Sequence, residues 1–404
     1  MPTYRPLPMV PVSGAGCWLA DADGRRYLDL AGGIAVAALG HAHPRLVAAL
    51  HDQAARLWHV SNVFSNRPAE ALARRLCELT FAERVFFSNS GAEANEAAFK
   101  LARRVGHRRG GPDKHRIVAL RESFHGRTLF TVSVGGKPAY TETFEPLPPG
   151  IVHVDPGDHE QLEAAVDDRT CAVVLEPVLG EGGVLPLPPG YVRHARELCD
   201  RHDALLVFDE VQTGMGRTGH LFAHQALGVA PDICTAAKAF GGGFPIGATL
   251  ATAEVGDQLT RGTHGSTFGG NPLAARVALE VLDAVSDPAL LANVTARSEQ
   301  FVDGLRTIGR STGIFTDVRG RGLLLGAVLA PEFAGRAREA QLAALDAGVC
   351  VLVAGTDVIR LTPPLIITAD ETAHGLERLE VAFTRLVRRW REAAAGGGGP
   401  EGTV

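Results

Sequence analysis

The 404-residue chain is expected to fold as an α/β protein, with a mainly parallel central sheet covered by helices and a smaller α+β domain built from both chain ends. Three features predict this. Short, continuously apolar runs recur between residues 117 and 250, segments of helical spacing separate most of them, and after about residue 285 long helices surround only a few strands. A strand apolar at every position is buried on both faces, so helices must cover both sides of its sheet. The length exceeds one ordinary domain. The expected division is residues 1–50 joining the small domain, 51–285 as the large domain, 286–393 as the C-terminal small domain and 394–404 as a disordered tail.

In chain order, Gly16–Asp29 carries two strand-like runs around the Asp23-Gly24 turn. Glu70–Thr80 has helical spacing, apolar at Leu72, Leu76 and Leu79, and Gly91–Arg104 repeats it at Ala94, Ala97, Ala98 and Leu101. Strands are expected at Ile117–Leu120, Cys171–Leu175, Ala204–Phe208 and Ile246–Leu250, with a helix over Val192–His202. In the C-terminal part the spacing predicts helices over Leu290–Leu305, Ala337–Ala347 and Thr372–Arg391, and strands at Leu323–Leu329 and Val358–Leu361. The run Gly396–Pro400 is low-complexity, which predicts disorder.

A formal charge of −5 argues against non-specific nucleic-acid binding, and the basic run Arg385–Arg391 alternates with apolar residues as the solvated face of a terminal helix does. No apolar run is long enough to span a bilayer and no signal-like start is present, so a cytoplasmic protein is expected. Six cysteines without metal-ligand spacing fit a reducing compartment. No metal is expected: His41-Ala42-His43 lacks a partner at a supporting spacing, which leaves that pair a turn and packing role.

The chemistry centres on Lys238, in Thr235-Ala236-Ala237-Lys238-Ala239-Phe240-Gly241-Gly242-Gly243, 29 positions after Asp209, which closes the apolar run Ala204–Phe208. Delivered to one crevice by neighbouring strands, such a pair meets the needs of pyridoxal 5'-phosphate. The lysine holds the cofactor as a Schiff base, and the carboxylate keeps the ring nitrogen protonated. Each residue alone also suits a surface turn or a solvated lysine. Ser88–Glu96 opens a helix with small residues, suited to a phosphate or to a plain serine cap. In Ser123–Thr128, Phe124 suits stacking on a flat ring and Arg127 suits a bidentate carboxylate; a core Phe and a surface Arg are the plainer alternative. Gly214-Met215-Gly216-Arg217-Thr218-Gly219 has the spacing of a dinucleotide fingerprint, but five residues separate it from the preceding strand and a poor helix start follows.

In order, Asn89–Glu96, Phe124–Arg127, Glu176–Gly183, Phe208–Gly214, the Lys238 segment and His264–Ala274 resemble the class III (ω) aminotransferases, over about Thr3 to Arg391. Within that family the chain most resembles the N2-acylornithine 5-aminotransferases, with Phe130–Tyr140 and His59–Asn62 most like the succinylornithine branch. The resemblance implies a fold-type I pyridoxal-phosphate transferase. It makes Lys238 and Asp209 catalytic, with Gln212 near the ring hydroxyl, Phe124 on the ring, and Gly91 and Ala92 at the phosphate. Thr267 would reach the phosphate of a neighbouring subunit, implying a homodimer with shared sites. Arg127 would bind the substrate's α-carboxylate, with Ser266 nearby. Arg360 would take a carboxylate of 2-oxoglutarate or glutamate, paired with Glu181 when the longer amine is bound.

The implied reaction moves the δ-amine of N2-acetyl- or N2-succinylornithine to 2-oxoglutarate, in arginine metabolism. Leu179, Ala37 and Leu361-Thr362-Pro363-Pro364 depart from the family's commoner residues, while an apolar Ile34 favours an acylated α-nitrogen over free ornithine. The alternatives are an aminotransferase of ornithine, 4-aminobutyrate or another ω-amine, and a non-catalytic binding or regulatory protein on the same fold.

Overall fold

The structure, a computed structural model, describes residues 1–396. Its central sheet has seven strands in the spatial order Arg84–Ser88, Gly247–Ala251, Ile233–Ala236, Leu205–Asp209, Thr170–Leu175, Arg116–Leu120 and Ile151–Val154. The last five run parallel to one another, whereas Gly247–Ala251 is antiparallel to both of its neighbours. The alternation of continuous apolar strands with helices therefore gave the parallel part correctly. The reversed strand follows Lys238 through the Gly241–Gly243 turn with no crossover helix, and a connection that short returns antiparallel.

Alternate residues of the central strands enter different cores. Val118, Val173 and Leu206 pack with Tyr191, Val192 and Leu198 of the Pro189–Arg201 helix. Their neighbours Ile117, Val174 and Leu205 pack with Ala98, Leu101 and Val105 of the Gly91–Gly110 helix. This is why the strands read as unbroken apolar runs. Each buried Leu or Val contributes about 1.5–3 kcal/mol of transfer free energy, and Leu206→Ala would cost about 2–5 kcal/mol once the cavity is included.

Two four-stranded sheets accompany the central one. Phe315–Arg321, Leu324–Leu329, Val358–Leu361 and Leu352–Ala354 form one, and Pro11–Ala15, Trp18–Asp21, Arg26–Asp29 and Val349–Cys350 form the other. In the second, N-terminal residues pair with C-terminal ones, Leu28 opposite Val349. Several strands of two to five residues, among them the edge strand Leu352–Ala354, were not expected, because so short a run has no readable period.

Helix ends also shift. Asn66 caps Ala69 N at 3.0 Å and starts the Arg67–Leu79 helix three residues early. The terminal helix runs Ala369–Gly396, so residues 394–396 are helix rather than tail; the rest of the expected tail lies outside the described residues. On that helix Arg385, Arg388, Arg389 and Arg391 are exposed while Leu386, Val387 and Trp390 are buried. The Gly214–Gly219 run forms turns with no helix directly after it, and Arg217 within it is fully buried, donating to Leu323 O at 3.0 Å and Pro363 O at 2.5 Å.

Candidate active site

The carboxyl ends of the parallel strands converge on a cavity of about 370 Å³. Asp209 ends one strand, Lys238 stands two residues beyond the next, and Glu176 follows Leu175. Asn89, Ser90, Gly91, Ala92, Phe124, Arg127 and Gln212 complete most of the lining, with Val36 from the N-terminal part of the chain.

Lys238 adopts φ 47°, a left-handed conformation that costs a residue with a Cβ about 1–3 kcal/mol and is found where function fixes the backbone. Burial holds its amine below the usual lysine range; Glu181 opposes that shift and Arg360 reinforces it. The chain has only four lysines. Lys100 meets His264 Nδ1 at 2.9 Å, Lys114 donates to Asp168 O and His202 O, and Lys137 donates to Glu181 O. Among the described residues, Lys238 alone of the four has no hydrogen-bond partner at Nζ, which leaves its nitrogen lone pair or proton available for chemistry.

Asp209 is buried, and burial by itself would raise its pKa. The His125 imidazole at 2.8 Å, with N–H donation from Val211 at 3.0 Å and Asn95 Nδ2 at 2.7 Å, instead holds it below the ordinary carboxylate range. His125 is fully buried too; burial pushes its pKa down, but the bond to Asp209 more than offsets this and raises it. Each partner thus favours the charged form of the other. Burial pushes Glu176 up to about 7, with its oxygens accepting from Phe124 N at 2.8 Å and Gly180 N at 3.3 Å. Asn95, His125 and Glu176 all lie inside the recognised sequence blocks, yet their roles went unassigned. Only the fold shows which polar residues of a block point inward.

The start of the Gly91–Gly110 helix faces the same space. Ser90 Oγ accepts from Glu93 N at 3.2 Å and Ser90 O accepts from Ala94 N at 3.0 Å, which leaves the first N–H groups, those of Gly91 and Ala92, without intrahelical partners. A Cβ on Gly91 would lie 2.8 Å from Val211 Cγ1, so only glycine lets the helix start approach Val211 this closely. Open donors at a helix N-terminus suit a phosphate, Phe124 and Val211 offer apolar surface to a flat ring, and Asp209 offers an ionised partner for a ring nitrogen. The residues present fit pyridoxal 5'-phosphate.

Arg360, 2% exposed, donates through Nη1 to Glu181 Oε1 at 2.5 Å, Gly180 O at 3.1 Å and Gln212 Oε1 at 3.2 Å. Gln212 lines the cavity, so the pair adjoins it. Burial tends to raise Glu181, but the Arg360 charge and hydrogen bond hold it below the usual range. Ser266 approaches from another side, its Oγ accepting from Asn89 Nδ2 at 3.2 Å. Thr267, like Ser266, Glu181 and Arg360, is outside the lining of this chain's cavity; it is exposed, beside His59–Asn62.

Elsewhere, His41 does find an acidic partner, Asp29 at 2.7 Å; the other Asp29 oxygen caps Ala31 N and Gly32 N. Those caps hold a left-handed turn through Ile34 and Ala35 (φ 65° and 61°) that leads into Val36. Glu210, His224 and Cys234 also cluster, but the Glu210 carboxylate already accepts from Ala223 N, His224 N, His224 Nδ1 and Thr213 Oγ1, which marks a structural knot.

The aminotransferase class-III family profile matches residues 2–383. The chain is 56% identical, over 96% of each sequence, to a succinylornithine transaminase/acetylornithine aminotransferase of Pseudomonas aeruginosa, and 55% identical over 96% of this chain and 95% of the other to a succinylornithine transaminase of Salmonella enteritidis. Among solved structures it matches an N-acetylornithine aminotransferase of Stenotrophomonas maltophilia (46% identity, TM-score 0.85, 96% and 98% of the two chains). It also matches an ornithine aminotransferase of Toxoplasma gondii described with partial pyridoxal phosphate occupancy (34% identity, TM-score 0.93, 96% and 92% of the two chains). The higher TM-score accompanies the lower identity, so backbone likeness does not select the substrate.

Proposed function

The chain belongs to the class-III aminotransferases and depends on pyridoxal 5'-phosphate, and from that premise we propose that it carries the δ-amino group of N2-acetyl- or N2-succinyl-L-ornithine to 2-oxoglutarate, leaving N2-acyl-L-glutamate 5-semialdehyde and L-glutamate. One observation carries the reading. The cavity around Lys238 is served by two arginines in opposite states, Arg127 exposed at its edge and Arg360 buried and neutralised by Glu181. A distal amine whose far end bears a carboxylate suits Arg127, with Arg360 kept neutral. A dicarboxylate suits both arginines once Glu181 withdraws, which avoids a buried unpaired cation in either half-reaction.

The cofactor, when bound, supplies an electron sink for the carbon bearing the transferred nitrogen. In this reading Gly91 and Ala92 hold its phosphate, Phe124 its ring face, Gln212 its hydroxyl, and Lys238 its aldehyde carbon. Asp209, kept anionic by His125, holds a proton on the ring nitrogen. Lys238, with its lowered pKa, would take the proton from the substrate δ-carbon and carry it to a different atom in the later protonation step. Arg127 and Ser266 orient the α-carboxylate, and the apolar Ile34 beside Val36 accepts an acylated nitrogen.

Exposed Trp58, Val63, Phe64 and Phe268, near Thr267, support a homodimer in which Thr267 completes the partner's phosphate site. Six unpaired cysteines, five of them buried, support a cytoplasmic setting. The division near residues 50 and 285 belongs to the same reading. Turnover with 2-oxoglutarate of N2-acetylornithine, N2-succinylornithine, ornithine and 4-aminobutyrate tests it: both acylated amines should exceed the other two, and a preference for either free amino acid would overturn it.

A further inference from the structure

Arg127 is held in an unusual way. Among the described residues its guanidinium meets no carboxylate; its carbon stands 3.5 Å from the Tyr140 ring centroid and 5.5 Å from that of Phe124. Phe124 and Tyr140 meet edge to face, 6.1 Å apart at 89°. A flat cation stacked on a ring is attracted through its face, and its N–H donors point outward in its own plane. Stacking therefore fixes the guanidinium while leaving those donors free, whereas an acidic partner would fix it by occupying them.

Tyr140 is itself anchored to the loop that carries Phe124 and Arg127. Gly136 N donates to Ser123 O at 3.3 Å and Ser123 Oγ at 3.2 Å, and a Cβ at Gly136 would lie 2.2 Å from Leu120 O, so only glycine permits that approach. Lys137 Nζ then donates to Glu181 O at 2.7 Å, and the Pro138–Tyr140 turn follows. The tyrosine hydroxyl has no hydrogen-bond partner among the described residues. Its ring is what acts on Arg127.

We propose that Tyr140 is a positioning residue that sets recognition of the substrate's α-carboxylate, by presenting Arg127 pre-oriented with its donors unoccupied. The proposal rests on Arg127 being the carboxylate-binding residue. The test compares kcat/KM for N2-acetylornithine with that for N-acetylputrescine, the same chain without the carboxylate, in the holoenzyme. Tyr140→Leu should lower the ratio about tenfold, equivalent to about 1.4 kcal/mol, mainly through KM, while Tyr140→Phe keeps it. Calorimetry with N2-acetylnorvaline, which has the carboxylate but no reacting amine, should show about tenfold weaker binding to Tyr140→Leu and no change in Tyr140→Phe. Arg127→Leu separates the two ideas. If it lowers the ratio and Tyr140→Leu does not, the role of Tyr140 is wrong. If Arg127→Leu leaves the ratio intact, the reading of Arg127 fails. Equal losses on both amines in Tyr140→Leu, with unchanged analogue binding, would make the ring merely structural and overturn the proposal.

Discussion

Arg127 and Arg360 are the same residue type serving one cavity, yet the fold holds them by different physics. Arg360 is buried on a strand, and its Nη1 is committed to Glu181, Gly180 and Gln212. Arg127 is exposed on a loop and is held through its face by aromatic rings. A carboxylate arriving at Arg127 finds open donors. One arriving at Arg360 must first displace Glu181. The contrast separates a constant binding element from a conditional one, which is what an enzyme needs when two dissimilar substrates take turns in a single site.

The largest way to break this contrast is Arg360→Leu. It leaves the half-buried Glu181 without its cation and removes the 2-oxoglutarate carboxylate site, so kcat/KM for 2-oxoglutarate should fall by about 10²-fold or more. Separate half-reaction measurements should show a smaller loss with acylornithine. Equal losses would mean the two arginines are not specialised.

Glu181→Gln sharpens the contrast from the other side. With Arg360 no longer neutralised, the ratio of glutamate to acylornithine kcat/KM should rise about tenfold, by weakening the competition that a charged hydrogen-bond partner provides. An unchanged ratio would remove Glu181 from substrate choice.

The smallest effect is in stability against pH. Glu181 has a folded pKa lowered from 4.5, so the stability it contributes is fully present above its unfolded value and is lost as pH falls through the lowered folded value. The difference in thermal midpoint between wild type and Glu181→Gln should therefore be steady above about pH 5.5 and close in more acid solution. Arg127→Leu should show no such closing, because Arg127 is held by aromatic rings and not by a carboxylate. Parallel acid profiles for the two variants would contradict the distinction.

Much of this was legible in the residues themselves. Central strands such as Thr170–Leu175 were visible because burial on both faces leaves no polar interruption. Lys238 and Asp209 were visible because each sits just past an apolar run, where parallel strands deliver side chains. Lysine occurs only four times in the chain, which by itself narrows the choice of a Schiff-base residue. Other features were hidden for physical reasons. His125 and Asn95 gain meaning only when Asp209, far along the chain, is folded against them. The turn that opens at Gly32 and Gly33 continues at positive φ through Ile34 and Ala35, whose residue types do not signal it. Tyr140 reads as an ordinary aromatic until the chain folds back through Gly136 onto Ser123.

Both arginines matter only if the amine between them is the one that reacts. Reduction of the holoenzyme with borohydride, followed by peptide mapping, tests this directly. The account predicts loss of the visible absorbance and a cofactor-derived mass on the peptide containing Lys238, with none on Lys100, Lys114 or Lys137. A cofactor mass on any of those three instead, or a protein that stays colourless when saturated with pyridoxal phosphate, would contradict it.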